Sequence, residues 1–279
     1  MVRSKDRVKP ENNNSISPIL WGGQQNKPLI TIVTVVLNGA MLLDDTIQSV
    51  IKQTYSNIEY IIIDGCSTDG TLDIIEKYAD KIRWISEHDN GIYDAMNKGI
   101  RLANGKWINF MNAGDSFYSL STVADVFEKN KYDEDILFGN VRIQYPDFSR
   151  MKSAGNLQHL WQGMQFCHQS VFVRTTLHKN NLFNMSSLVA DFQFYYMNYE
   201  NNVKFKHIDF VIAIVDSGGV SDLNRVLVID GWRETVCSNG CSLFIKIYYE
   251  CFKMIVSVLG MVKQVIPRKI VNRIIISKR

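Results

Sequence analysis

From residue 29 to residue 112 short apolar runs alternate regularly with segments of helical hydrophobic spacing, a pattern that restricts the fold more than any other feature. LITIVTVVL (29–37), IEYIIID (58–64), IRWIS (82–86) and KWINFMN (106–112) are apolar runs of strand length. Between them, MLLDDTIQSVIKQ, TLDIIEKYA and IYDAMNKGIRLA carry apolar residues at helical spacing. Strand and helix in regular alternation imply an α/β fold, a mostly parallel central sheet flanked by helices. Ligands of such sheets bind beyond the carboxyl ends of the strands. Asn38, Asp64, the stretch Glu87 to Asp94, and Asp115 lie there, so polar and acidic groups converge at one edge.

After Asp115 the regularity weakens. Residues 135–145 and 169–174 read as strands, 191–199 as an amphipathic helix and 204–215 as one or two strands, close enough in sequence to join the same sheet. Neither a GxGxxG turn after the first strand nor a GxxxxGK[ST] loop is present, which argues against dinucleotide and phosphate-loop folds. Gly99 to Lys106 has the wrong spacing for such a loop, and Gly105 is expected to cap a helix end. With 279 residues, 46% of them hydrophobic, the chain can build one large core. Residues 1–28 are polar and aperiodic and read as a flexible tail; 29–222 form the main domain; 223–279 form a helical, basic segment. Five cysteines without a CxxC pair or zinc spacing fit a reducing compartment. No signal peptide and no spanning segment are expected.

TVVLN, followed by SVIKQTYSNIEYIIIDGCSTDGT, resembles the amino-terminal signature of family 2 inverting glycosyltransferases with the GT-A fold. SEHDNGIYDAMNKGIRLANGKWINFMNAGD is similar to the branch found in bacterial colanic-acid, O-antigen and exopolysaccharide gene clusters. The resemblance spans roughly residues 30 to 216 and implies transfer of a sugar from a nucleotide donor, with UDP the expected nucleotide.

The resemblance also assigns roles. Asp64, at a strand end before the loop GCSTDGT, is expected to accept a hydrogen bond from the uracil ring; the bland alternative is that Asp64, Ser67, Thr68 and Asp69 cap the next helix. In DNGIYDAMNKG one helical face is core, leaving Asp94 beside the nucleotide pocket and Lys98 and Arg101 on a solvated face. Asn38 and Asn112, also at strand ends, are expected to contact the donor. GT-A enzymes hold Mg²⁺ or Mn²⁺ through Asp-x-Asp, and the ion neutralises the departing diphosphate without proton transfer. The segment here is Asn112-Ala113-Gly114-Asp115, which leaves Asp115 as the single carboxylate for the metal. A turn residue is the alternative. Asp191 in VADFQFY matches the family's base, although Ala190 stands where an acid is common; an ordinary first-turn acid is the alternative. His168 and Gln169 in FCHQSVFVR match a His-Gln element lining the donor or acceptor site; His168 could instead complete a metal shell or be structural.

Of 31 Lys+Arg and 28 Asp+Glu, eight and one fall in residues 241–279, leaving 23 and 27 in the rest. The basic end carries a stripe of Phe244, Tyr248, Cys251, Ile255, Leu259 and Val262, too charged around it to span a bilayer but suited to an anionic membrane surface. A helix packed on the domain is the alternative. Nucleic acid fits poorly, because no recognisable nucleic-acid module accompanies the basic residues. The expected protein is therefore a cytoplasmic enzyme, peripheral on the inner face of the membrane, acting on a lipid-linked saccharide. The alternatives are a noncatalytic nucleotide-sugar binder or a membrane scaffold.

Overall fold

The computed structural model describes residues 27–219 and 223–265. The expectations for residues 1–26 and for the basic stretch 266–279 lie outside them. Lys27 and Pro28, placed in the flexible tail from sequence, are held: the carbonyl of Lys27 accepts from Asn57, and that of Pro28 from Tyr55.

The elements, in chain order, are β1 (Ile30–Val36), α1 (Ala40–Ile51), β2 (Ile58–Asp64), α2 (Thr71–Glu76), β3 (Arg83–Ser86), α3 (Ile92–Leu102), β4 (Trp107–Phe110) and β5 (Ser116–Phe117). There follow α4 (Thr122–Phe127), β6 (Ile136–Gln144), β7 (Ser149–Lys152), β8 (Val171–Arg174), α5 (Thr175–Asn180), α6 (Ala190–Glu200), β9 (Phe205–Asp216), α7 (Arg225–Val236) and α8 (Leu243–Val265). One sheet runs in the order β3-β2-β1-β4-β8-β6-β9-β5, with β7 paired to β6. Its first four strands, β1 to β4, are parallel to one another. The second half is mixed: β8 lies antiparallel between β4 and β6, β9 is parallel to β6, and β5 is antiparallel to β9.

Period-two alternation sorts the strands between two cores. Ile30, Ile32, Ile58, Tyr60 and Ile62 face the layer that includes Leu43, Ile47 and Ile75 of α1 and α2. Val33, Val35, Ile61 and Ile63 face the opposite layer, with Met96 and Ile100 of α3 and Phe192 and Tyr195 of α6. Both faces are covered, so β1 and β2 are buried along their whole length, the polar Thr31, Thr34, Glu59 and Asp64 included.

Gly105 does not cap a helix. α3 ends at Leu102 with Ala103 extended. A Cβ on Gly105 would stand 2.6 Å from the backbone nitrogen of Thr31, so glycine is needed there for close approach of two backbones.

α7 and the first half of α8 share the domain core. Val228, Ile229, Trp232, Val236 and Tyr249 are buried in the same cluster as α3 and α6, and Tyr249 donates to the carbonyl of Trp161 (2.7 Å). The seam of α8 against the core is the buried Tyr249 with the partly buried Ile245, Tyr248, Phe252 and Val256, which shares only Tyr248 with the stripe read in the sequence. Beyond that seam Phe244, Ile247, Met254, Ile255 and Leu259 remain exposed. Lys253 is tied to Asp230 of α7 (2.8 Å). No helix among the described residues is long and apolar enough to cross a membrane. Cys237 and Cys241 are joined in a disulfide across the α7–α8 turn, where Gly240 adopts φ +88°. Their spacing gave no sign of pairing, because the turn alone brings them together.

Candidate active site

The parallel strands deliver Asp64 and the segment after Phe110 to one edge of the sheet, and the turn preceding β8 brings in His168 and Gln169. Asp64 ends β2 and is 0% exposed. Its Oδ2 accepts from the Ser67 amide (3.1 Å) and the Ser86 hydroxyl (2.6 Å), while its buried Oδ1 has no partner among the described residues. An ionised oxygen buried without a donor is costly unless a ligand supplies one.

Around Asp64 the loop is braced rather than capped. Asn38, at φ +51°, donates its amide to Ser67 Oγ (2.7 Å) and accepts from the Thr68 amide (2.9 Å). Ser67 and Thr68 therefore hold β1 to the loop and do not cap α2. Asp69 does that work, accepting from the Thr71 amide and hydroxyl and, through its other oxygen, from the Ala40 amide that opens α1. Its carboxyl is held below the ordinary range chiefly by the Thr71 hydroxyl. Cys66 is a non-glycine residue at φ +67°, a sparsely populated conformation of the kind that gathers at functional loops.

Asp94 turns back on its own helix. Its Oδ2 accepts from the Asn90 amide (3.0 Å) and side chain (3.3 Å), and Lys98 Nζ lies 3.9 Å away. Lys98 is not on a solvated face: it donates to the carbonyl of His88 (2.6 Å) and pairs with Glu87 (3.1 Å). Asp94 and Lys98 thus fix the 87–91 loop. That loop sets Asp89 Oδ2 2.5 Å from where a Gly65 Cβ would be, beside Asp64.

The remaining residues form a second, continuous group. Gln169 Nε2 donates to Asp115 Oδ2 (2.8 Å). Burial pushes the Asp115 carboxyl up to about 6, with Asp216 adding to the rise and Gln169 and His168 opposing it. Asn112 Nδ2 faces His168 Nε2 (3.1 Å), and its own Oδ1 is buried without a partner. The other ring nitrogen of His168, Nδ1, faces Asp191 Oδ2 at 3.6 Å. His168 thus lies between Asn112 and Asp191, and so between the segment that carries Asp115 and the start of α6. Asp191 Oδ1 accepts from Tyr93 Oη (2.9 Å) and from the Phe192 amide (2.8 Å). Burial would raise the Asp191 carboxyl, yet His168 and these donors outweigh it and hold it below the usual range.

Three contributors escaped the sequence reading. Asn109, buried in β4, donates to the carbonyls of Gln169 (2.9 Å) and Val171 (2.8 Å) and so seats the His168–Ser170 turn; a lone amide inside WINF was the available signal. Tyr93 and Asp216 gave none, because their partners are distant in sequence. Among the described residues no group of three or more His, Cys, Asp or Glu is placed to hold a metal. The oxygen groups on this segment that a hard cation could use are the Asp115 carboxyl and the Asn112 Oδ1, which has no partner among the described residues; magnesium-type ions commonly take the rest of their shell from phosphate and water.

The Glycosyl transferase family 2 model matches residues 31–216. The chain is 36% identical over 156 residues to a PGL/p-HBAD biosynthesis glycosyltransferase of Mycobacterium bovis, covering 54% of this chain and 60% of that one. It is 35% identical over 95 residues to the putative teichuronic acid biosynthesis glycosyltransferase TuaG of Bacillus subtilis, covering 33% of this chain and 38% of that one. The match thus spans less than two thirds of the length of these relatives. The fold is similar to that of S. aureus TarS 1-349 in complex with UDP-GlcNAc (TM-score 0.58, 18% identity, 74% of this chain and 66% of that one). It is also similar to the Pyrobaculum calidifontis mannosyltransferase PcManGT in complex with GDP-Man and Mn²⁺ (TM-score 0.60, 16% identity, 82% and 70%). With its parallel half-sheet, its strand-end carboxylates and a family match across most of the domain, the chain belongs to glycosyltransferase family 2, with a GT-A fold.

Proposed function

We propose that this protein transfers a sugar, with inversion, from a UDP-sugar to a lipid-linked saccharide in bacterial surface polysaccharide or glycolipid synthesis. The observation that carries the reading is Asp64 Oδ1, a carboxylate oxygen fully buried at a parallel strand end and lacking a donor. The N3–H of uracil is a donor of the right kind. Asn38 keeps the loop around it in shape, and Asp94 acts through the 87–91 loop that it holds.

Asp115 and the Asn112 amide oxygen would hold Mg²⁺ or Mn²⁺, whose charge would offset that of the leaving diphosphate. The acceptor hydroxyl attacks the anomeric carbon opposite the leaving group and gives its proton to Asp191. A new C–O bond forms, and the bond from anomeric carbon to phosphate oxygen breaks with its electron pair leaving on the nucleoside diphosphate. His168 and Gln169 set the two carboxylates in place. The exposed apolar residues of α8, with the exposed Lys246 beside them, fit an anionic membrane surface on the cytoplasmic side, where a lipid-linked acceptor resides.

Calorimetric titration with UDP, in Mn²⁺ and in EDTA, tests the reading. Metal-dependent binding is expected in the parent, and Asp64→Ala and Asp115→Ala should each abolish it with the unfolding temperature little changed. UDP binding that is indifferent to both substitutions would overturn the site.

A further inference from the structure

Resting on the assignment of Asp191 as base, we infer that Tyr93 is the positioning residue that fixes which oxygen of Asp191 takes the acceptor proton. Oδ1 has two donors, Tyr93 Oη at 2.9 Å and the Phe192 amide at 2.8 Å. Oδ2 has only His168 Nδ1 at 3.6 Å, beyond the length of a good hydrogen bond. A carboxylate anchored through one oxygen offers the other, so the acceptor O–H bond breaks toward Oδ2. The side chain of Asp191 is 20% exposed, enough for an acceptor to reach it.

Tyr93 suits this task chemically. Burial, and then the charge of Asp191, raise its phenol well above the ordinary value, so it remains a hydrogen-bond donor at any working pH. Its ring is set against Phe183 (5.4 Å), and its hydroxyl lies closer to Asp191 Oδ1 (2.9 Å) than to the other acceptor in reach, the Leu188 carbonyl (3.3 Å).

Its location gives the contact a further meaning. Tyr93 lies in the first turn of α3, directly after the loop that Lys98 ties down at His88 and Glu87 and that meets Gly65 beside Asp64. Asp191 lies 98 residues later, in the first turn of α6, a helix whose N-cap makes no side-chain hydrogen bond. The base is therefore aligned from the loop that borders the donor side, and one braced segment connects Asp64 to Asp191.

Tyr93→Phe removes the hydroxyl and keeps the ring. UDP release from a UDP-sugar, with water as acceptor, should fall about ten- to a hundredfold, the effect of a modest misplacement of a reacting group. Affinity for UDP should stay within about twofold, since uniform binding is untouched. Raising the pH should not restore the rate, because alignment and not ionisation is lost. A readout that needs no turnover is the NMR titration of the Asp191 carboxyl carbon, assigned with Asp191→Asn. Its midpoint should move up in Tyr93→Phe, as a carboxylate that loses a donor becomes more basic. A rate within about threefold of the parent, a rate loss matched by an equal loss of UDP affinity, or an unmoved carboxyl midpoint would each overturn the inference. If Asp191→Asn itself keeps full turnover, the assignment of the base fails instead, a separate result.

Discussion

His178 offers a direct measurement of how tightly the layer beneath the base is packed. It lies in α5, 0% exposed, and neither ring nitrogen has a partner. Its ring stacks on Phe194 of α6 (4.2 Å) and meets Phe183 (4.9 Å) and Phe110 (5.7 Å) edge-on. Burial pushes its pKa from the ordinary 6.5 down to about 3. Below 6.5 the unfolded chain binds a proton that the folded chain refuses, so the stability present in full above 6.5 is lost progressively as pH falls toward 3. At about 1.4 kcal/mol for each pH unit, the loss from this residue reaches about 2 kcal/mol near pH 5. Replacement by leucine removes two unsatisfied nitrogens along with a stacking partner. His178→Leu should therefore lie within about 1 kcal/mol of the parent at about pH 7.5. Urea unfolding followed by tryptophan fluorescence at both pH values gives the comparison, and the parent-minus-variant difference cancels the other titrating groups. That difference should shift by about 2 kcal/mol in favour of His178→Leu on acidification. A difference that stays constant to within about 0.5 kcal/mol would refute the reasoning, because it would mean that His178 takes up its proton in the folded state.

Gln169→Leu, which strips the donor from Asp115 Oδ2, should weaken Mn²⁺-supported UDP binding about 10- to 100-fold, as loss of a ligand's supporting partner commonly does; calorimetry with and without Mn²⁺ decides it. Gly105→Ala forces a Cβ to within 2.6 Å of the Thr31 nitrogen and 2.9 Å of the Leu29 carbonyl, and should lower stability by about 1–3 kcal/mol in a denaturant titration. An unchanged midpoint there would show that β1 yields easily. On α8, Met254→Glu with Val258→Glu, at positions 62% and 47% exposed, should reduce cosedimentation with anionic vesicles by about tenfold or more while leaving the unfolding temperature alone. Equal cosedimentation of parent and variant would place the membrane contact elsewhere or nowhere.

The sequence by itself determined the first half of the sheet. β1 and β2 follow from mostly apolar runs of strand length, α3 from its helical spacing, and the strand-end positions of Asp64 and Asp115 from the simple rule that polar residues ending such runs lie at the carboxyl edge. Those signals are local, and the residues that generate them are neighbours along the chain. Tertiary structure decided everything that depends on distant partners. β8 inserts antiparallel beside β4, and that insertion carries His168 and Gln169 to Asn112 and Asp115, 56 and 54 residues away. Periodicity cannot specify it, because a short apolar run reads the same in either direction. The same holds for side chains with more than one use: Asp94 and Lys98 are an acid and a base on a helix surface until the fold shows the loop they grip, and Gly105 could be a cap until Thr31 arrives against it. Tyr93 illustrates the limit. In sequence it is an aromatic residue near a helix start, and only the packing of α3 against α6 turns its hydroxyl toward Asp191.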